Sequence, residues 1–594
     1  MFGPILAREW MVAPRRARFY LVRVVFVLVL FSLVCTAWAL LAGIQTVRNQ
    51  GDLARFGVLV FQIVVPLELV VTMFLAAVSS ASNVTQEKDR RTLVLLLLTR
   101  LTNVQVVLGK LASSLLNNFN LILSALPMLL LIAMLGGVSL RQVFMATALI
   151  TVSTMWCGAL ANLIAFWREK TFQTLAITLL MIAGWIAFCE VIESGTIPFI
   201  APQWAEVLSP LRAVLDLCQP ITLPSWLDTY GGTVAVHCYF GLAVCFLCSS
   251  IAVIQLRVWN PSQQVRPQAA EPDEDYAADR SQLDERAATW KARAPRPMWN
   301  NPVLWREVRT WAYGRKLLII RLAYAALFLV AVAALYWSVS SGVALQRSRL
   351  SDELLPMAAK ILAPFLVVSF VMINALGVNS ITNERDGQAL DLLLATQITP
   401  TQFLIGKIVG VLYVTKEMVV LPLLLIGYLW FQGGISSEDT LYSLAGVVVI
   451  DLFSAILGIH CGMIYAQSRT AIGTSLGTLF FLFLGIVTCM MIMLSFSGSF
   501  AQQLPAFLAI ILGGGTGLFI AMGNRNPSPA IALAAFGLPF LTFFAITSFI
   551  LRNQELTVFS VIVAAYSFAT LAMVIPALSE FDFAMGRSKT VDDD

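Results

Sequence analysis

"EKDRRTLVLLLLTR", residues 87–100, sets five charged residues directly before a run of leucines. Such a stretch opens a membrane span or forms a short helix at a membrane surface. The apolar run, 93–98, is far too short to cross a bilayer, which takes about 20 apolar residues. Thr99, Arg100 and Thr102 interrupt it before the next apolar stretch begins near 104. The chain then repeats itself. Residues 85–110, "TQEKDRRTLVLLLLTRLTNVQVVLGK", return as 382–407, "TNERDGQALDLLLATQITPTQFLIGK". Without a gap, Thr85, Glu87, Asp89, Leu93, Leu95, Leu96, Leu97, Thr99, Thr102, Gln105, Gly109 and Lys110 meet identical residues. Asp391 falls inside the second leucine run, where a membrane interior would penalise it. Both copies are therefore expected to be short cytoplasmic helices. Their acidic residues are expected in the first turn, where the helix dipole favours them, and their leucines on a covered side.

A second match lies at nearly the same offset. Residues 4–23, "PILAREWMVAPRRARFYLVR", meet 302–321, "PVLWREVRTWAYGRKLLIIR". Pro4 meets Pro302, Leu6 meets Leu304, Arg8–Glu9 meets Arg306–Glu307, and Arg23 meets Arg321. Two matches in the same order make the halves parallel copies. Each opens with an amphipathic basic entry, runs through two spans, and then carries the charged segment and further spans. A two-fold repeat about the membrane normal sets similar halves face to face, with an interface between them as a candidate pathway.

Composition agrees with a polytopic membrane protein. The 594 residues are 58% hydrophobic and 12% charged, with mean hydropathy +0.81. Soluble globular chains carry about twice that charge. The net charge of +5 sits in short clusters beside apolar segments, so no nucleic-acid partner is expected. Spans are expected near 20–43, 57–81, 104–136, 143–167, 173–192 and 232–256, then near 317–341, 357–381, 403–431, 440–466 and 471–497. Three more apolar stretches follow near 505–522, 529–551 and 556–578; the first two are full spans or a re-entrant pair. The fold class is thus an all-α polytopic membrane protein of 12 to 14 transmembrane helices. The division is a first half over 1–258, a polar cytoplasmic linker over 259–300 and a second half over 301–594. The apolar run after the basic start is too long for a signal peptide and reads as a retained span. Arg8, Arg15, Arg16, Lys88, Arg90, Arg91, Arg168 and Lys170 concentrate on one side, which puts both termini and the linker in the cytoplasm.

The E-x-D…L-x-L-L-L-x-T…G-K segment after the second span, with the basic entry helix before the first, resembles the ABC-2 type transporter permeases. The resemblance covers the first three spans of each half. It implies six spans per half, an elbow helix at each entry, and a coupling helix between second and third spans that docks on a separate ATPase. On that likeness Glu87, Asp89, Arg90, Arg91 and Thr92, with Glu384, Arg385, Asp386 and Gln388, are the ATPase-docking residues. Arg8, Glu9, Arg306 and Glu307 mark the elbow helices. The implied partners are two copies of a cytoplasmic ABC ATPase, membrane lipids and an exported substrate, in a bacterial inner membrane. Fusion of the halves and the surplus apolar length at 505–551 depart from the family pattern.

The chain has no G-x-x-x-x-G-K-[ST] phosphate loop. ATP and magnesium are therefore expected on the partner subunits, with no cofactor in this chain. Its two histidines, His237 and His460, lie in apolar stretches, and no catalytic or metal-binding set is readable, so the chain itself is not expected to be an enzyme. Ionisable residues inside spans are functional candidates because burying them is costly. Glu68, Lys416, Glu417 and Asp451, with Asn117 and Asn120 near the equivalent place in the first half, are candidate pathway residues or interhelical hydrogen-bond partners. Two further readings stand beside the exporter: an ion-coupled secondary transporter using these residues, and a force-transmitting membrane scaffold.

Overall fold

The computed structural model describes residues 3–581 apart from 13–14, 16, 45–48, 90–91, 169–170, 194–200, 220–231, 261–298, 310–316, 341–356, 496–499, 525–526, 553 and 580. Most of the expected linker, 261–298, lies outside the described residues. No strand occurs among the described residues, so the chain is an all-α, multi-pass membrane protein.

The first half starts with α1 (Pro4–Val12) and the spans α2 (Ala17–Ile44) and α3 (Gln50–Asp89). The short α4 (Thr92–Leu97) leads to α5 (Asn103–Met134), α6 (Leu140–Trp167) and α7 (Thr171–Glu193). Two short helices, α8 (Gln203–Leu208) and α9 (Pro210–Leu217), precede the span α10 (Gly232–Trp259). The order recurs in the second half: α11 (Pro302–Arg309), α12 (Leu317–Ser340), α13 (Met357–Asp386) and the short α14 (Ala389–Leu394). Then come α15 (Pro400–Val414) and α16 (Lys416–Phe431), followed by α17 (Ser437–Ile464) and α18 (Ser468–Ser495). Last are α19 (Phe500–Met522), α20 (Pro529–Arg552) and α21 (Glu555–Ser579).

Thirteen of these helices are long and apolar enough to cross a membrane, and α15 with α16 makes a fourteenth span bent by 57°. α19 and α20 pass that test separately, which gives the higher expected span count. They are inserted where the first half has only α8 and α9. α21 packs on α17 as α10 packs on α6, so α21 takes the place of the sixth span.

Sequence alone shows 403–431 as one span, but the helix breaks at Thr415 (φ −99°, ψ 18°). The freed Val414 carbonyl accepts from Arg321 Nη2 at 2.6 Å, and Glu417, in the first turn of α16, pairs with Arg321 Nε at 3.5 Å. A cation therefore sits at one half-helix's carbonyl end and an anion at the next one's amide end, as each dipole favours.

The halves meet on two sides. On one, α7 packs against α12 and α13. On the other, α18 packs against α3 and α19 against α2; there Phe74 and Phe480 stack with centroids 4.1 Å apart.

Candidate functional site

Each half carries a joint where the elbow helix, the end of the second span just before the short helix, and the third span meet, built largely from the residues that repeat. In the second half Lys407 is fully buried and donates to Glu307 Oε1 and Glu384 Oε1 at 2.6 Å each and to Ser380 O at 2.9 Å. Arg306 also pairs with Glu384 and, at 3.3 Å, with Glu307. The elbow α11, the end of α13 and the start of α15 are thus tied by one buried ammonium. Gly406 makes the close approach available: a Cβ there would lie 2.9 Å from Val303 Cβ. In the first half Lys110 pairs with Glu87, and Gly109 faces Ile5 of α1. Glu9 is not drawn in; it pairs with the exposed Arg8 at 3.2 Å.

The residue after each acid has a different task. Lys88 Nζ donates to Phe166 O at 2.5 Å and Arg168 O at 2.9 Å, and Arg385 donates to Tyr465 O and, at 3.1 Å, to Met463 O. Both cap the carbonyl end of the fourth span, where a cation is favoured. Asp386 accepts from Ser468 Oγ at 2.5 Å. The repeated threonines and glutamines are caps too. Thr99 and Thr396 bond Leu96 O and Leu393 O at 2.6 Å, ending the short helices. Thr102 with Gln105, and Thr399 with Gln402, form capping boxes on the third spans.

Two expectations need correction. The acidic residues do not open the short helices. Glu87 and Asp89 end α3, and Glu384 and Asp386 end α13, because the second spans continue as helix beyond their apolar part. The leucines are not all covered either. Leu93, Leu97 and Leu390 are buried, but Leu95, Leu98 and Leu392 are 65%, 65% and 74% exposed. Thr92 is exposed and hydrogen-bonds Glu87 O at 3.3 Å. Gln388 is exposed with φ 55° in the turn before α14. Arg90 and Arg91 lie outside the described residues, as does the Asp89 side chain.

The candidate pathway residues do not form one group. Glu68 and Asp451 are buried at 1% and 2% exposure; Glu68 Oε2 and both Asp451 carboxylate oxygens have no hydrogen-bond partner among the described residues. Lys416 lies 5.1 Å from the Tyr413 ring centre, and Glu417 joins Arg321 at the break in the third span. Asn117 is half-buried, and Asn120 Nδ2 turns back to Leu116 O at 2.8 Å. Arg23, which matches Arg321, reaches Ser124 Oγ at 3.4 Å. These two arginines, matched by the repeat, both reach the third span of their own half. The two histidines are held internally: His237 meets Ser153 Oγ and Val207 O, and His460 meets Met522 O.

Comparison of the chain with protein-family models, curated proteins and solved structures gives no match.

Proposed function

We propose that the chain is the transmembrane subunit of an ATP-binding-cassette exporter of the ABC-2 type, with ATP and magnesium held by two separate cytoplasmic ATPase subunits. The observation that carries this is the pair of joints. Exposed leucines, Leu95, Leu98 and Leu392, lie on or beside the short helices at an end of the bundle where aqueous charges gather, and each short helix follows directly on a second-span end that a lysine–glutamate pair ties to the third span. Exposed apolar side chains at such an end mark a surface for a protein partner. The gathering of Arg8, Lys88, Arg100 and Arg385 there supports a cytoplasmic side, with both termini inside a bacterial inner membrane. ATPase closure pushes on α4 and α14. The ion pairs carry the displacement into α5 and α15, and the halves shift along their two contact sides to release substrate outward.

Co-purification with candidate ABC ATPase subunits from the same genome tests the proposal. The triple variant Leu95→Glu, Leu98→Glu, Leu392→Glu is expected to lose at least tenfold of the co-purifying ATPase, with its own elution unchanged. Undiminished ATPase would remove the docking surface.

Ion coupling is a second reading, favoured by the unbonded Asp451 carboxylate. A buried acid without partners costs several kcal/mol when ionised. Asp451→Asn is therefore expected to stabilise the purified chain by about 1–3 kcal/mol, read as a raised thermal midpoint. Ion coupling further requires that the wild-type chain, alone in proteoliposomes, dissipates a pH gradient and that the variant does not. A wild type that leaves the gradient intact ends this reading.

A further inference from the structure

The two contact sides between the halves are not equivalent. Where α18 and α19 pack on α3 and α2, the interface is closed by Phe74, Phe480 and the inserted helix. Where α7 faces α12 and α13, a cavity of about 490 Å³ remains. That volume falls within the roughly 300–1,000 Å³ of small-molecule sites. The cavity lies at the end of the bundle remote from the short helices. On α13 it reaches Phe365, 21 residues before Asp386 (386 − 365), or about 30 Å along a helix.

Its wall is apolar and made of small and branched side chains, among them Ala183, Ala187, Leu327, Ala331 and Phe365. Its polar edge is Glu190, Glu193 and Arg212. Arg212 donates to both Glu190 oxygens, at 2.9 and 2.5 Å, and pairs with Glu193 at 3.2 Å. One guanidinium thus faces two carboxylates at the edge. Glu206 adds its negative field at Arg212, and Asp216 adds its own at Glu206. The Glu206 carboxyl is held above its usual range, first by burial and then by Asp216 and Glu193, with Arg212 opposing. Glu190 and Glu193 side chains are 45% and 37% exposed, so a ligand can reach them.

We propose that this cavity binds an amphiphile with an ammonium head group, its alkyl chain between α7, α12 and α13 and its head beside Glu190 and Glu193. As the substrate site of the exporter the assignment rests on the function proposed above; as a binding site it stands without any ATPase. Substrate amine and lipid amine share this chemistry.

The test is photolabelling of the purified full chain in maltoside micelles with a diazirine-bearing alkylammonium, against the sulfonate of the same chain length. Peptide mapping is expected to put the ammonium label on 183–193 and 327–338, with at least tenfold less from the sulfonate. Dodecylamine should displace it and dodecyl sulfate should not. Glu190→Gln with Glu193→Gln leaves Arg212 without its carboxylates, so ammonium labelling should fall at least tenfold and sulfonate labelling rise. Ala331→Trp fills the cavity and should abolish both; Ala187→Leu is the milder filling variant should the first not fold. A lipid source is read by native mass spectrometry as an aminophospholipid retained by wild type and lost in Ala331→Trp; without it, the amine is a soluble substrate. Label spread evenly over the outer helices, equal labelling by both head groups, or labelling unchanged in the filled variants overturns the proposal. Because no ATPase is present, failure here leaves the docking result untouched, and failure of docking leaves this site.

Discussion

Lys407→Met is expected to destabilise the purified chain by about 3–5 kcal/mol, the usual loss when one partner of a buried ion pair is removed. Among the described residues Lys407 is the only ammonium on Glu307, whose side chain is 2% exposed, and it shares Glu384, 14% exposed, with Arg306. Its loss leaves Glu307, among the described residues, with the more distant Arg306 at 3.3 Å. Lys110→Met removes a contact to one carboxylate, Glu87, which is already 25% exposed, so about 1–3 kcal/mol is expected there. Thermal unfolding in maltoside micelles separates the two. The triple variant Lys407→Met, Glu307→Gln, Glu384→Gln should recover more than half of the Lys407→Met loss, because it removes the stranded charges along with their partner. Equal losses at the two lysines, or a triple variant no better than the single, would show that the second joint is not held by its charges.

The spans were legible because runs of about 20 apolar residues leave few other readings. The repeat was legible as well, down to single residues. The meaning of the repeated residues was not. Glu87 and Glu384 read as a partner's contact surface, yet their ion-pair partners stand 23 residues later in the chain, and Glu384 meets Arg306 78 residues earlier. Such pairings depend on how the elbow lies across the third span. Gly109 and Gly406 were visible identities, but only the approach of Ile5 and Val303 shows why glycine is needed. The break at Thr415 is marked in sequence only by the polar run Thr415, Lys416 and Glu417, which reads as in-span charge rather than as a bend because apolar residues continue on both sides of it. Arg321, matched to Arg23 by the repeat, was a second signal, since it pairs with Glu417 at that break. The surplus length at 505–551 was legible as apolar, whereas its seat against α2 follows from packing alone.

Gly458→Val is expected to be as damaging as the loss of Lys407, through sterics rather than charge. At the crossing of α13 and α17 a Cβ on Gly458 would lie 2.3 Å from Asn374 O, 3.0 Å from Val378 N and 3.1 Å from Gly377 Cα. All three are backbone atoms, so no rotamer change can make room; the helices themselves must separate. Overpacking a core costs about 1–3 kcal/mol where side chains can adjust. Here separation also threatens a buried polar link: Asn374 donates to Ser454 O at 3.0 Å and accepts from Ser475 Oγ at 2.9 Å, joining α13, α17 and α18. A buried donor or acceptor left without its partner adds about 1–3 kcal/mol. Together these set the expectation at about 2–6 kcal/mol. The first half supplies the control. At the repeat offset of 297 (382 − 85), Gly377 and Gly458 correspond to Ser80 and Ala161. That crossing already holds side chains, and Ser80 uses its own to bond Ser114 Oγ at 2.8 Å. Ala161→Gly is accordingly expected to cost only about 1 kcal/mol, the helix penalty of glycine. A Gly458→Val chain that unfolds at the wild-type temperature would mean that the α13–α17 crossing slackens freely. The second half would then be too loose there for α13 to carry motion from the short helix towards the cavity at its far end.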